Sequence, residues 1–131
     1  MNLAGGNFLR HELECHGDSC CNHDCIVSSL LLAALELLRV EFAEPYTPEC
    51  VYRCPIHNAA VGGSPTSQHI EGTAADIHLD QLSPGWTVDL MANAAEDVLQ
   101  RLDIPGGIGK YNWGIHIDVR KASAPHRWDN R

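Results

Sequence analysis

From Ile115 to Arg120 the chain alternates without a break: Ile115, Ile117 and Val119 are apolar, while His116, Asp118 and Arg120 are ionisable. A period of two belongs to an extended strand with one face buried. Such a strand needs a second layer over its apolar face, which restricts the chain to a sheet covered on one side. Thr73–Leu79, entered from Gly72, has the same character, and alternation puts Ala74, Asp76 and His78 on one face. Val51-Tyr52 reads as a further short strand.

Two segments supply the covering layer. Cys25–Arg39 predicts a helix of about four turns, with Asp24 as N-cap. Its stripe is Ile26, Leu30, Ala33, Leu37 and Val40, widened by Leu31, Leu35 and Leu38. Pro45 and Pro48 end that region. Ser83-Pro84 opens a second helix, whose stripe is Val88, Met91, Ala95, Val98, Leu99 and Leu102 and which Pro105-Gly106-Gly107 stops. Residues 55–68, with Pro55, Gly62, Gly63 and Pro65, read as a long loop. A turn around Asn112 precedes the last strand. The tail from Lys121 is polar, with Trp128 as its anchor. The economical assembly is an α+β domain with two main helices on one side of a small antiparallel sheet. Its 131 residues form one unit, 1–131, with a Cys/His-rich and irregular segment at about 1–25.

The formal net charge of −8 argues against a nucleic-acid partner and against adhesion to anionic membranes. The apolar run Ile26–Val40 contains Ser28, Ser29, Glu36 and Arg39 and falls short of the roughly 20 residues a membrane span needs. Met1–Arg10 has no basic region followed by an apolar one, so no secretory signal is expected. The expectation is synthesis in the cytoplasm.

The ionisable faces suggest chemistry. In Ser67-Gln68-His69-Ile70-Glu71-Gly72-Thr73-Ala74-Ala75-Asp76, a glycine turn between His69 and Asp76 lets the two side chains converge. Imidazole and carboxylate both suit zinc. If the two strands are neighbours, His116 completes a set of three ligands with a position left for water, which is the catalytic pattern, since structural zinc is usually closed by four protein ligands. His57 and Asn58 are expected to order their loop, and Ser67 to fix its own by a hydrogen bond.

Ser67-x-His69-x-x-Gly72-x-Ala74-x-Asp76 resembles the signature of the M15 peptidases, the zinc D-Ala-D-Ala carboxypeptidases, dipeptidases and phage L-alanyl-D-glutamate endopeptidases. Tyr52-Arg53-Cys54-Pro55-Ile56-His57-Asn58, Val61-Gly62-Gly63 and Gly109–Arg120 resemble a short subgroup of that family, and the likeness covers roughly residues 7 to 128. It implies a fold shared with lysostaphin-like enzymes and the hedgehog signalling domain, zinc ligands at His69, Asp76 and His116, and substrates among peptidoglycan peptides containing D-amino acids. Action on the cell wall follows from that. It also implies that Arg53 contacts the substrate or the developing oxyanion, which a fixed guanidinium charge suits.

One position departs from the family. Many relatives carry Asp or Glu three residues before the last ligand as general base, and here Trp113 stands there. Asp118 shares the face of His116 and is expected to serve as base, or else to orient a ligand. Glu71 is its rival. The departure also leaves room for a zinc-containing module that binds cell-wall peptides without cutting them.

Six cysteines remain: Cys15, Cys20, Cys21, Cys25, Cys50 and Cys54. With His16 and His23, the first four offer ligands for a second, structural zinc. Disulfides and free buried thiols are the alternatives, and Cys50 and Cys54 can pair with each other or with that segment.

Overall fold

The computed structural model describes residues 2–3, by backbone only, and 7–131. Residues 1 and 4–6, part of the segment expected to be irregular, lie outside the described residues. The elements run β1 (Asn2–Leu3), β2 (Phe8–Leu9), α1 (Arg10–Leu13), α2 (Ser29–Phe42), α3 (Pro55–Ala60), β3 (Ala74–His78), α4 (Val88–Arg101), β4 (Gly107–Tyr111), β5 (Gly114–Asp118) and β6 (His126–Asp129). A 3₁₀ turn, Leu79–Gln81, follows β3. No described helix is long and apolar enough to cross a membrane.

The class is α+β, as expected. The main sheet has the order β3-β5-β4-β6 and is mixed, not purely antiparallel. β5 pairs antiparallel with β3 and with β4, whereas β6 pairs parallel with β4. Two of these strands were not expected. β4 is glycine-rich and follows a helix stop directly, and β6 lies in the polar tail, where alternation is absent. As an edge strand β6 needs no apolar face, because pairing satisfies one side of its backbone and water the other. Conversely, the strand expected at Val51-Tyr52 does not form, and only the neighbouring Cys50 makes an isolated bridge, to Asp76.

α4 packs on β4 and β5, and α2 packs on α4. The core joins Leu31, Leu35, Leu38 and Phe42 of α2 with Met91, Ala95, Val98 and Leu99 of α4 and with Ile77, Ile115 and Ile117 of the sheet. α4 buries the stripe expected of it, after an N-cap at Thr87 whose side chain accepts the Leu90 N–H. α2 differs. It starts later, with Ser28 as N-cap in place of Asp24, and Ser28 Oγ accepts from Leu30 and Leu31 N–H. Ile26 and Val40, placed on its buried stripe by periodicity, are exposed. A segment as uniformly apolar as Leu30–Leu35 has no polar face to orient it, so packing against α4 chooses the face. The loop expected over 55–68 contains α3, with Pro55 in its first turn and Cys54 as N-cap.

Candidate active site

The register of β3 on β5 sets Asp76 directly opposite His116. His69 arrives from the loop before β3, where Gly72 turns the chain with φ +70° and where a side chain would collide with the Ile26 carbonyl. The structure thus brings His69, Asp76 and His116 together. Asp76 Oδ1 lies 3.2 Å from His69 Nε2 and 3.1 Å from His116 Nδ1.

The far nitrogen of each ring is already committed. His69 Nδ1 donates to the Val51 carbonyl at 2.8 Å. His116 Nε2 donates to Asp118 Oδ2 at 2.8 Å. In their neutral forms both rings therefore turn lone pairs toward the same carboxylate oxygen, an arrangement that calls for positive charge between them. Burial opposes charge on all three groups. On Asp76 the hydrogen bonds from His116 and His69 outweigh it and hold the carboxyl below the usual carboxylate range. On His69 the bonds to Asp76 and Cys50 prevail and raise the pKa to about 10. His116 is raised too, by Asp118 and Asp76. A divalent cation would meet the same demand, and two imidazoles with one carboxylate are a donor set that zinc accepts. The residues fit the metal.

Asp118 is fully buried. Besides His116 it accepts from Arg120, whose Nε reaches Oδ1 at 2.8 Å and Nη2 reaches Oδ2 at 2.7 Å, and the Arg120 backbone N–H also reaches Oδ1. Burial pushes its pKa up, but the bonds from Arg120 and His116 more than reverse this and hold it low.

The three side chains lie in a cleft of about 360 Å³ lined also by Ser67, Gln68, Tyr111, Trp113, Arg120 and Trp128. A larger groove of about 820 Å³ adjoins it, sharing Thr66, Gln68 and Arg120 and adding Glu71 and Lys121. Trp113 stacks on Tyr111 on one side and His78 on the other. Arg53 does not line the cleft. Its Nη2 donates to Ser67 Oγ at 3.3 Å, behind the wall, and among the described residues its buried Nε has no partner. Ser67 Oγ also accepts the His69 N–H, so it holds the ligand loop. Asn58 is buried and donates to the Ser64 carbonyl, ordering the same loop.

Sequence reasoning overlooked three participants. Trp128 reaches the cleft from β6, its ring 5.1 Å from that of His116 and its Nε1 donating to Tyr111 at 2.8 Å. Nothing local in a polar tail marks this. The Val51 carbonyl, as a backbone atom, has no sequence signature. Cys50 Sγ lies 3.6 Å from His69 Nδ1 and, with His69 and Asp76, forms a second potential ligand group. Cys50 is not among the cleft-lining residues, however, and it faces the ring nitrogen already turned to Val51.

A family model for Peptidase M15 matches residues 6–118. Comparison with curated proteins and with solved structures returns no match.

Proposed function

The chain belongs to the Peptidase M15 family, and on that premise we propose that it is a zinc-dependent peptidase acting on short cell-wall peptides that contain D-amino acids. One observation carries the reading: Asp76 Oδ1 is shared by the near nitrogens of His69 and His116 on the floor of an open cleft, while both far nitrogens are held by acceptors. Metal-ligating histidines are oriented in this way.

Zinc, when bound, supplies polarisation of the scissile carbonyl and lowers the pKa of water toward ~7. His69, Asp76 and His116 would hold it. Val51 and Asp118 keep the two imidazoles in the tautomers that present a lone pair. Arg53 is a fixed cation behind Ser67: it holds the His69 loop through Ser67 Oγ and acts on substrate charge through its field and not by direct contact. The peptide would lie along the adjoining groove, where Lys121 offers a cation to substrate carboxylates.

Two roles were open to Asp118, general base or orienting carboxylate. The geometry favours the second, because both oxygens are engaged by His116 and Arg120 and the group is buried. Glu71, which lines the adjoining groove, is then the next carboxylate for proton transfer.

A second reading has its own observation. Among the described residues Asp76 is the one carboxylate lining the cleft itself, and Trp113 occupies the position where many relatives carry an acid. A module that binds wall peptides without turnover fits that arrangement. Digestion of purified peptidoglycan by the zinc-loaded protein, with products identified by mass spectrometry, separates the two. Released peptides or amino acids are the expected result. Tight binding with no product would replace the peptidase by the binding module.

A further inference from the structure

We infer that Cys15, Cys20, Cys21 and Cys54 form a second, closed metal site that takes one zinc ion as a tetrathiolate. These four sulfurs all lie within 4.8 Å of one another. Cys15 and Cys20 are 3.8 Å apart, and Cys20 and Cys21 are 3.9 Å apart. With zinc–sulfur bonds of about 2.3 Å, the edge of a regular tetrahedron is roughly 3.8 Å, so the sulfurs stand at the spacing that one central ion would impose. A disulfide would bring two of them to about 2 Å, and all six cysteines are free.

The other soft ligands of the segment turn elsewhere. His16 Nε2 bonds to the His11 carbonyl and His23 Nδ1 to the Cys15 carbonyl. Cys25 and Cys50 stand outside the group. The fourth ligand, Cys54, follows α2 in the chain, so the site staples the N-terminal segment to the Val51–Cys54 strip.

The surroundings suit a thiolate centre. Cys15 and Cys54 are buried, with Tyr52 and Val27 packed beside them. Cys54 Sγ accepts the His57 N–H at 3.3 Å, a bond that orients the sulfur. The loop from Cys15 to Cys20 passes so near the cluster that a Cβ on Gly17 would lie 2.6 Å from Cys20 Sγ and 2.7 Å from the His57 ring. Ser19 and His23 adopt positive φ, 58° and 50°, so the loop is wound tightly around the sulfurs.

Four protein ligands leave no position for water, so the site's role is structural. It fixes a strip with three contacts to the active site: the Val51 carbonyl that holds His69, the Arg53 N–H that donates to the His69 carbonyl, and the Arg53 guanidinium.

Zinc content by plasma emission and zinc X-ray absorption on the full chain, purified under reductant, test the site. The wild type is expected to hold two zinc ions, with sulfur making up about half of the average first shell. The His116→Ala variant should retain one, in a shell of sulfur alone at about 2.3 Å. Adding Cys15→Ser to that variant should remove it. If either variant fails to fold, the wild-type shell alone decides. One zinc with only nitrogen and oxygen ligands would overturn the tetrathiolate and leave the histidine site standing. One zinc with only sulfur ligands would do the reverse. Disulfides among these four cysteines, found by mass mapping of a second preparation made without reductant, would also overturn it.

Discussion

The histidine–aspartate cluster and the cysteine cluster of this chain are built in opposite ways. The histidine–aspartate cluster rests on paired strands: register alone puts Asp76 beside His116, and the sheet would hold that pairing without any ion. The cysteine cluster rests on loops and the first residues around a short helix, joined by few backbone bonds, of which Cys15 N–H to the Asp24 carbonyl and Tyr52 N–H to the Leu13 carbonyl are two. In the first region the fold prepares a place for a ligand that must remain open. In the second, an ion coordinated on all sides would shape the chain. The first opens on a cleft and uses hard and borderline donors, while the second is closed and uses thiols, and these are the divisions expected between catalytic and structural zinc.

The sharpest way to break this contrast is His116→Ala. If the sheet-borne site is the catalytic one, turnover falls to background and one zinc equivalent is lost. The melting temperature, read by circular dichroism, should change little, because the strands persist. A collapse of the fold would mean that the open site also carries stability.

Cys15→Ser reverses the pattern. It should lower the melting temperature by about 10 °C, the shift that ~3 kcal/mol produces in a domain of this size. The histidine-bound zinc should be retained at saturating metal. A melting temperature within a degree or two of wild type would make the cysteine cluster dispensable.

Asp118→Asn probes the support of a ligand. It keeps the shape and removes the charge that holds His116 Nε2. An orienting role predicts a loss of ~10–100-fold in zinc affinity, measured by competition with a chromogenic chelator. Should affinity hold while turnover falls ~10²-fold or more, Asp118 is the base after all.

The smallest effect is expected at Arg53, where the two regions meet. Arg53→Lys should cost about 10-fold in kcat with both zinc ions kept, since an ammonium does not reproduce the guanidinium fork. A variant with wild-type kcat would return Arg53 to holding Ser67 in place.

What could be read from the chain alone was whatever rests on local pattern. The alternation through β5 and the stripe of α4 follow from the repeat of each element, because burying one face demands it. The resemblance motif picked out His69, Asp76 and His116 as a group, and the α+β class followed from the elements. The chain was silent wherever pairing in space decides. Leu30–Leu35 is apolar on every side, so contact with α4 and not periodicity selected the buried face of α2. β6 has no alternation and exists because β4 offers it an edge, and with it Trp128 enters the cleft. The partners of Asp118 depend on how the Arg120 side chain folds back. Cys54 joins Cys15, Cys20 and Cys21 across more than thirty residues of intervening chain, a closure that sequence spacing does not encode. Local sequence determines which residue types are available and which faces they occupy. Which of those faces meet is set by the tertiary packing, because contacts between distant segments form only when the core they share is buried.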